Sequence, residues 1–201
     1  TQTAGLASMG GGPGATDWTN VEEYNGTSWT AVTAAPTATQ KLGGAGTQTA
    51  QIAMSGTTTN SNYVTESYEY DGSSWTDGGD VNTGRMELAA AGTQSDAICF
   101  GGDTGSVSAL TESYDGTSWT ETTDLSTARE MPAGLGTTAA GVAAGGYVTA
   151  VSAVTEEFSR SVLTYTPASW ATATDMPTDK DNVAGFGTTT AAVCAGGGGP
   201  A

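Results

Sequence analysis

Apolar residues fall in short runs punctuated by glycine, asparagine, aspartate and serine, and nowhere do they recur with the 3.6-residue period of an amphipathic helix over a useful length. Residues 88–124 are the clearest stretch. "LAAAGT", "DAICFGG", "ALTESY" and "SWTETTD" read as four successive strands separated by polar or glycine-containing turns. The pattern predicts an all-β chain.

The join between third and fourth strands, "YDGTSW" at 114–119, recurs as "YNGTSW" at 24–29, "YDGSSW" at 70–75 and, loosely, "YTPASW" at 165–170. Asp-Gly or Asn-Gly supplies the positive φ that a tight turn demands at little steric cost, so the phrase predicts a hairpin. In the fourth copy Thr166-Pro167-Ala168 predicts a turn of another type. The Tyr and Trp would lie on neighbouring strands, covering the sheet face between one unit and the next.

Trp29, Trp75, Trp119 and Trp170 are 46, 44 and 51 residues apart, and each follows a tyrosine (Tyr24, Tyr70, Tyr114, Tyr165) by five. Two further landmarks keep step: Gly-Thr at 46–47, 92–93, 136–137 and 187–188, and an acidic residue at Glu22, Glu66, Glu112 and Glu156. Landmarks in register define a repeat. They divide a single repeat domain, 1–201, into units 1–46, 47–92, 93–136 and 137–187 with a partial unit 188–201. The chain opens at a second strand (Gly5 to Met9) and finishes on a first and a second strand, "NVAGFGT" and "AAVCAGG", so one second strand is surplus. That strand is expected to displace its N-terminal counterpart, to begin a fifth unit, or to add to another subunit's exposed edge.

Four-stranded units of this length, with Gly-Gly closing the second strand and Tyr and Trp flanking the third turn, resemble the kelch motif of β-propellers. "ICFGG", "SYDGTSW" and "DLSTAR" carry the resemblance, which extends over essentially the whole chain. It implies four-stranded blades, four units plus a partial fifth, closed within the chain or completed in trans. Small residues such as Ala90, Ala91, Ala139 and Ala140 would suit strands crowded near the axis, as would the Gly-Gly pairs. The wording "GTQTA" at 46–50, with "TESYDGTSWTE", "DLSTAR" and "VTEEF" at 154–158, further resembles kelch-like repeat proteins encoded by aquatic bacteriophages and uncultured viruses. That resemblance implies a virion-associated or extracellular structural protein, such as a tail fibre or host-recognition module; a self-assembling extracellular filament is the alternative, and a glycan-cleaving enzyme a distant third.

Charge narrows the partners. Five basic residues face 21 acidic ones, a formal net charge of −16, with no basic cluster, so nucleic acid is not an expected partner. No run approaches the roughly 20 apolar residues of a membrane helix, and membrane insertion is not expected. The first residues, "TQTAGL", lack Met, which points to a processed or upstream N-terminus. Cys99 and Cys194 stand at equivalent places two residues before a Gly-Gly, and are expected to fill equivalent core slots as free thiols.

Candidate chemistry is thin. Without histidine the commonest general base and the Ser-His-Asp arrangement are excluded, and no catalytic residue, cofactor or metal site is expected. A carboxylate copied into every repeat, as at Glu22, Glu66, Glu112 and Glu156, reads as structure or solvation rather than a catalytic pair. Asp80, Asp124 and Asp175 precede Arg85, Arg129 and Lys180 by five places, with Ala35 and Gln40 in the first unit; these cations are expected to brace loops locally, with an anion site as the alternative. "TDGGD" at 76–80 matches no calcium-loop spacing and reads as a solvated turn. Recognition is left to the loops. Trp18, Tyr63 and Tyr147 sit in the segments that diverge most between units and have no repeat counterpart; stacking on a host surface glycan and covering a neighbouring blade are their two expected uses.

Overall fold

The computed structural model describes residues 3–12, 16–160, 169–172, 181–188 and 191–198, and among them there are strands, turns and bends but no helix. The first sheet joins β1 (Gly5–Gly12), β2 (Thr16–Tyr24) and β3 (Trp29–Ala31) in that order. The second holds β4 (Gly43–Thr47), β5 (Ala50–Met54), β6 (Ser67–Tyr70) and β7 (Trp75–Asp77). The third holds β8 (Ala89–Thr93), β9 (Asp96–Phe100), β10 (Thr111–Tyr114) and β11 (Trp119–Glu121). The fourth holds β12 (Ala133–Thr137), β13 (Ala140–Ala144), β14 (Thr155–Ser159) and β15 (Ser169–Thr172), and the fifth only β16 (Asp181–Thr188) and β17 (Ala191–Gly198). Neighbouring strands in every sheet are antiparallel. The all-β, repeating four-strand reading holds, including the opening on a second strand.

The hairpin phrase works through both of its first residues. Glycine takes the positive φ (93° at Gly26, 92° at Gly72, 90° at Gly116), while the preceding side chain accepts from the backbone ahead of it. Asp71 Oδ1 takes the Ser73 and Ser74 amides at 2.8 and 2.7 Å, and Asp115 Oδ1 takes those of Thr117 and Ser118 at 2.9 Å. Asp and Asn are therefore turn acceptors here rather than positive-φ residues. The Tyr and Trp face each other directly, with ring centroids 4.9 to 5.2 Å apart. In the fourth sheet the residue opposite Trp170 is Phe158, not Tyr165. The segment after Phe158 thus lengthens the hairpin, and Tyr165 and its turn lie outside the described residues.

First strands follow one another from sheet to sheet: β4 packs on β8, β8 on β12 and β12 on β16. Closeness there needs small residues, since a Cβ on Gly134 would lie 2.4 Å from the Ala90 carbonyl oxygen. Ala90 and Ala91 are buried on β8, whereas Ala139 and Ala140 are half-buried at the turn into β13, away from the first strands. Apolar layers fill the space between sheets, one built on Ile52, Met54, Leu88, Tyr114 and Trp119 and the next on Ile98, Phe100, Leu125, Ala143 and Phe158. Cys99 belongs to the first layer and is free and buried; the side chain of Cys194 lies outside the described residues.

The Gly-Gly that ends the second strand has a tighter reason than crowding at an axis. Two successive residues have positive φ, 67° and 101° at Gly101 and Gly102, and a Cβ on Gly102 would meet the Met86 carbonyl at 2.7 Å. Met9 and Ser55 stand at the first of these positions in their sheets with φ of 58° and 57°. The second position is glycine each time: at Gly56, Gly102 and Gly146 a Cβ would meet a carbonyl of the loop arriving from the preceding sheet, and at Gly10 the φ of 116° alone asks for it.

Candidate functional site

The recurring charges are bound to one another between elements. Arg129 is buried with Nη2 2.6 Å from Glu156 Oε1, and its Nη1 donates to the Gly145 and Val154 carbonyls at 2.9 and 2.7 Å. Glu156 also accepts the Ser126 and Thr127 amides at 2.7 and 3.2 Å, which ties the incoming loop to the third strand. Arg85 and Glu112 repeat the arrangement one sheet earlier, Glu112 accepting the Asn82 and Thr83 amides at 2.7 and 3.3 Å. There Arg85 Nη1 lies 3.1 Å from Glu112 Oε1 but off the line of a hydrogen bond, and Nη2 turns to Cys99 Sγ at 3.2 Å. Burial pushes the Cys99 thiol up to about 11, against the pull of Arg85.

These pairs correct two readings of the spacing. The arginines do not brace their own loops through Asp80 and Asp124, which instead accept from Thr65 Oγ1 at 3.3 Å and the Thr111 amide at 2.9 Å. Nor do all four glutamates share one place. Tyr68 faces Ala53 as Glu112 faces Cys99 and Glu156 faces Ala143, so Glu66 is two residues out of register and exposed. In the arginine's place the first unit has Thr39, not Gln40: the Gly10, Gly56 and Gly102 amides donate to the carbonyls of Thr39, Arg85 and Arg129. The sheet with Tyr68 for glutamate has Pro36, without an amide to donate, where the others have Asn82 and Ser126, and Tyr68 reaches Thr37 Oγ1 at 2.8 Å. Lys180 lies outside the described residues.

A second latch runs between third strands. Tyr70 donates to Glu23 at 3.0 Å and Tyr114 to Glu69 at 2.8 Å, each hydroxyl reaching the carboxylate of the preceding sheet. Burial, then the carboxylate, raises both phenols, Tyr70 to about 12. The glutamine of Gly-Thr-Gln is a third latch, Gln48 and Gln94 donating to the carbonyls of Tyr24 and Tyr70 at 3.1 and 2.8 Å.

One accessible face is made by the loops joining second to third strands, against which the loops between sheets pair at Gln40–Thr57, Met86–Asp103 and Glu130–Tyr147. Trp18, Tyr63 and Tyr147 all belong to this face, on the first, second and fourth sheets, and are 43%, 36% and 37% exposed. The three do not converge on one pocket. Tyr63 leans on Asp103 of the next sheet, and its phenol is raised by partial burial and then by that carboxylate. Beside them lies a charge cluster that sequence reading did not find. Lys41 Nζ is 2.6 Å from Glu87 Oε1, and the Glu130 carboxyl is raised by burial and then by Glu87 and Asp103. Lys41, Glu87 and Met131 share a left-handed backbone (φ 55°, 57° and 53°), and the Glu87 and Met131 amides each donate at 2.8 Å to the preceding member's carbonyl. Their one signal in the sequence is a fixed place two residues after Thr39, Arg85 and Arg129.

A cavity of about 440 Å³ lies elsewhere, between Ala4–Leu6 and the β4–β5 turn, and no titratable side chain lines it.

No protein-family model matches the chain, and no curated protein matches it. Among solved structures it is similar to that of YjhT, with a TM-score of 0.72 and 13% sequence identity over 90% of this chain and 66% of that one. The fold is β-propeller-like. At that identity the likeness speaks for the fold alone. This chain spans 66% of the YjhT chain, and its four sheets of three or four strands are compatible with four blades.

Proposed function

We propose that the chain is a non-enzymatic binding and structural propeller, virion-associated or extracellular, that recognises a host surface glycan through the aromatic side chains of its loop face. One observation carries this reading: the aromatics without a repeat counterpart, Trp18, Tyr63 and Tyr147, are exposed on one face, whereas Tyr70, Tyr114 and Trp119 are consumed between blades. Flat rings held by a rigid scaffold suit the apolar faces of sugars. The phage-like wording of 46–50 and 154–158 supports the virion setting. Against hydrolysis stand the burial of Glu112 and Glu156 in ion pairs and a cavity without carboxylates. With a net charge of −16, a neutral or cationic glycan fits better than an anionic one.

Binding to an array of neutral and amino-sugar glycans tests the reading. Trp18→Ala, Tyr63→Ala and Tyr147→Ala should each weaken binding about ten-fold, the scale of one lost aromatic contact. Binding unchanged in all three variants, or absent from the wild type, overturns it; sugar release abolished by Glu130→Gln would replace it with a glycan-cleaving one.

A second reading, a self-assembling filament subunit, is favoured by Trp29, which is 52% exposed where Trp119 is 5% exposed.

A further inference from the structure

Blade-to-blade contacts in this chain follow a pairing rule. Where the aromatic residue opposite the tryptophan is a tyrosine, the preceding blade carries glutamate one residue before its own aromatic: Glu23 with Tyr70, Glu69 with Tyr114. Where that aromatic is Phe158, which has no hydroxyl, the preceding blade carries Ser113 instead. Both ends of the rule are left open. Tyr24 has the hydroxyl, and no preceding blade meets it among the described residues; Glu157, at the place of Glu69 and Ser113, is exposed on the fourth blade.

Trp29 tells the same story in apolar surface. Trp75 donates through Nε1 to the Thr33 carbonyl at 3.1 Å and Trp119 to Ser67 Oγ at 3.2 Å, both in the preceding blade. Trp29 has the same place in its own blade, yet half its surface is open.

We propose that the first blade of one copy packs on the fourth blade of a second copy, where a following blade would stand, with Tyr24 donating to Glu157 and Trp29 buried at the contact. This rests on the self-assembly reading and names the surfaces that perform it. Charge completes the match. Glu22 occupies the Glu112 and Glu156 place and is exposed, and no cation pairs with it among the described residues; Lys180 stands in the sequence where Arg85 and Arg129 do, on the approach to β16. β16 of the second copy, which follows that copy's fourth blade, then serves as first strand to β1 of the copy that docks, releasing β17, whose "AGGG" ending resembles the "MGGG" of β1. The contact does not form within one chain, since Trp29 and Glu157 are both exposed. Its two surfaces differ, so repetition gives a head-to-tail array.

The test is sedimentation velocity and negative-stain microscopy of the 201-residue chain over a concentration series at moderate salt, where the repulsion of a −16 charge is screened. We expect concentration-dependent oligomers. Tyr24→Phe should weaken association about ten-fold by leaving Glu157 without its donor, and Trp29→Ala about a hundred-fold. The double variant Tyr24→Phe/Glu157→Ser recreates the Phe158–Ser113 pair and should recover association, an outcome that a merely unstable Tyr24→Phe would not give. A monomer at every concentration overturns both this contact and the self-assembly reading. Oligomers indifferent to Tyr24→Phe and Trp29→Ala overturn the contact and leave that reading standing.

Discussion

Arg129 and Glu156 are charges that this chain can bury only together. Every oxygen of the carboxylate is engaged, by Arg129 and by the Ser126 and Thr127 amides, and the guanidinium reaches two carbonyls besides. Removing one partner leaves the other charged in a place without water, which costs about 3–5 kcal/mol, whereas the intact pair contributes little over a well-packed apolar substitute. Arg129→Met should therefore lower the unfolding free energy by roughly that amount in urea titrations, and Arg129→Met/Glu156→Leu should restore much of it. The double variant still leaves the Ser126 and Thr127 amides unsatisfied, so recovery is incomplete. If the two single changes simply added in the double variant, the pair would not be the unit described here.

At the scale of strands, neighbouring third strands are tied by a phenol and a carboxylate, and that tie depends on pH. The folded state raises Tyr70, to about 12, so it favours the neutral phenol. The unfolded chain ionises tyrosine near 10, so this stabilisation is fully present below about pH 10 and is lost as pH rises through the folded value. Spectrophotometric titration of phenolate should find Tyr70 and Tyr114 ionising late, together with base unfolding, and Tyr70→Phe should flatten the loss of stability on the alkaline side. All tyrosines titrating together near pH 10 in a still-folded protein would contradict the latch. The strands themselves were legible because turn residues recur in step with Tyr, Trp and Gly-Thr. The partners were not. Glu66 carries the right residue type near the right place because Thr-Glu-Ser-Tyr at 65–68 copies 111–114, but its Tyr68 is not the repeat tyrosine Tyr70, and register is decided by which residue faces Ala53. Tyr165 misled in the same way, since the hairpin pairs Trp170 with Phe158 across a longer excursion. The exposed aromatics Trp18, Tyr63 and Tyr147 were found because they break the repeat. The Lys41, Glu87 and Glu130 cluster was missed because its charges do not recur at one repeat position, Lys41 and Glu87 sharing a place with Met131; only the backbone bonds that align those loops bring it together.

In the whole molecule, a row of blades is held by nearest-neighbour contacts, so stability varies along it with how each blade is flanked. The third blade has neighbours on both sides, an ion pair from Glu112 to the loop that precedes it, and strands β8 and β9 mostly buried. The first blade is flanked on one side among the described residues. Its β1 is mostly half-buried, β3 is exposed throughout, and its junction with the second blade has Thr39 and Tyr68 where the later junctions have arginine and glutamate. Local opening should follow that gradient. Native-state hydrogen exchange of dilute, monomeric protein should release the amides of β1–β3 at the lowest free energy and those of β8, β9 and β13 only near global unfolding. Uniform protection from β1 to β14 would mean that the blades unfold as one unit, with cooperativity outrunning the neighbour-by-neighbour contacts. If the head-to-tail contact forms, protection of β2 and β3 should rise with protein concentration while that of β8 and β9 stays fixed, because the first blade gains a neighbour and the third, flanked on both sides already, does not.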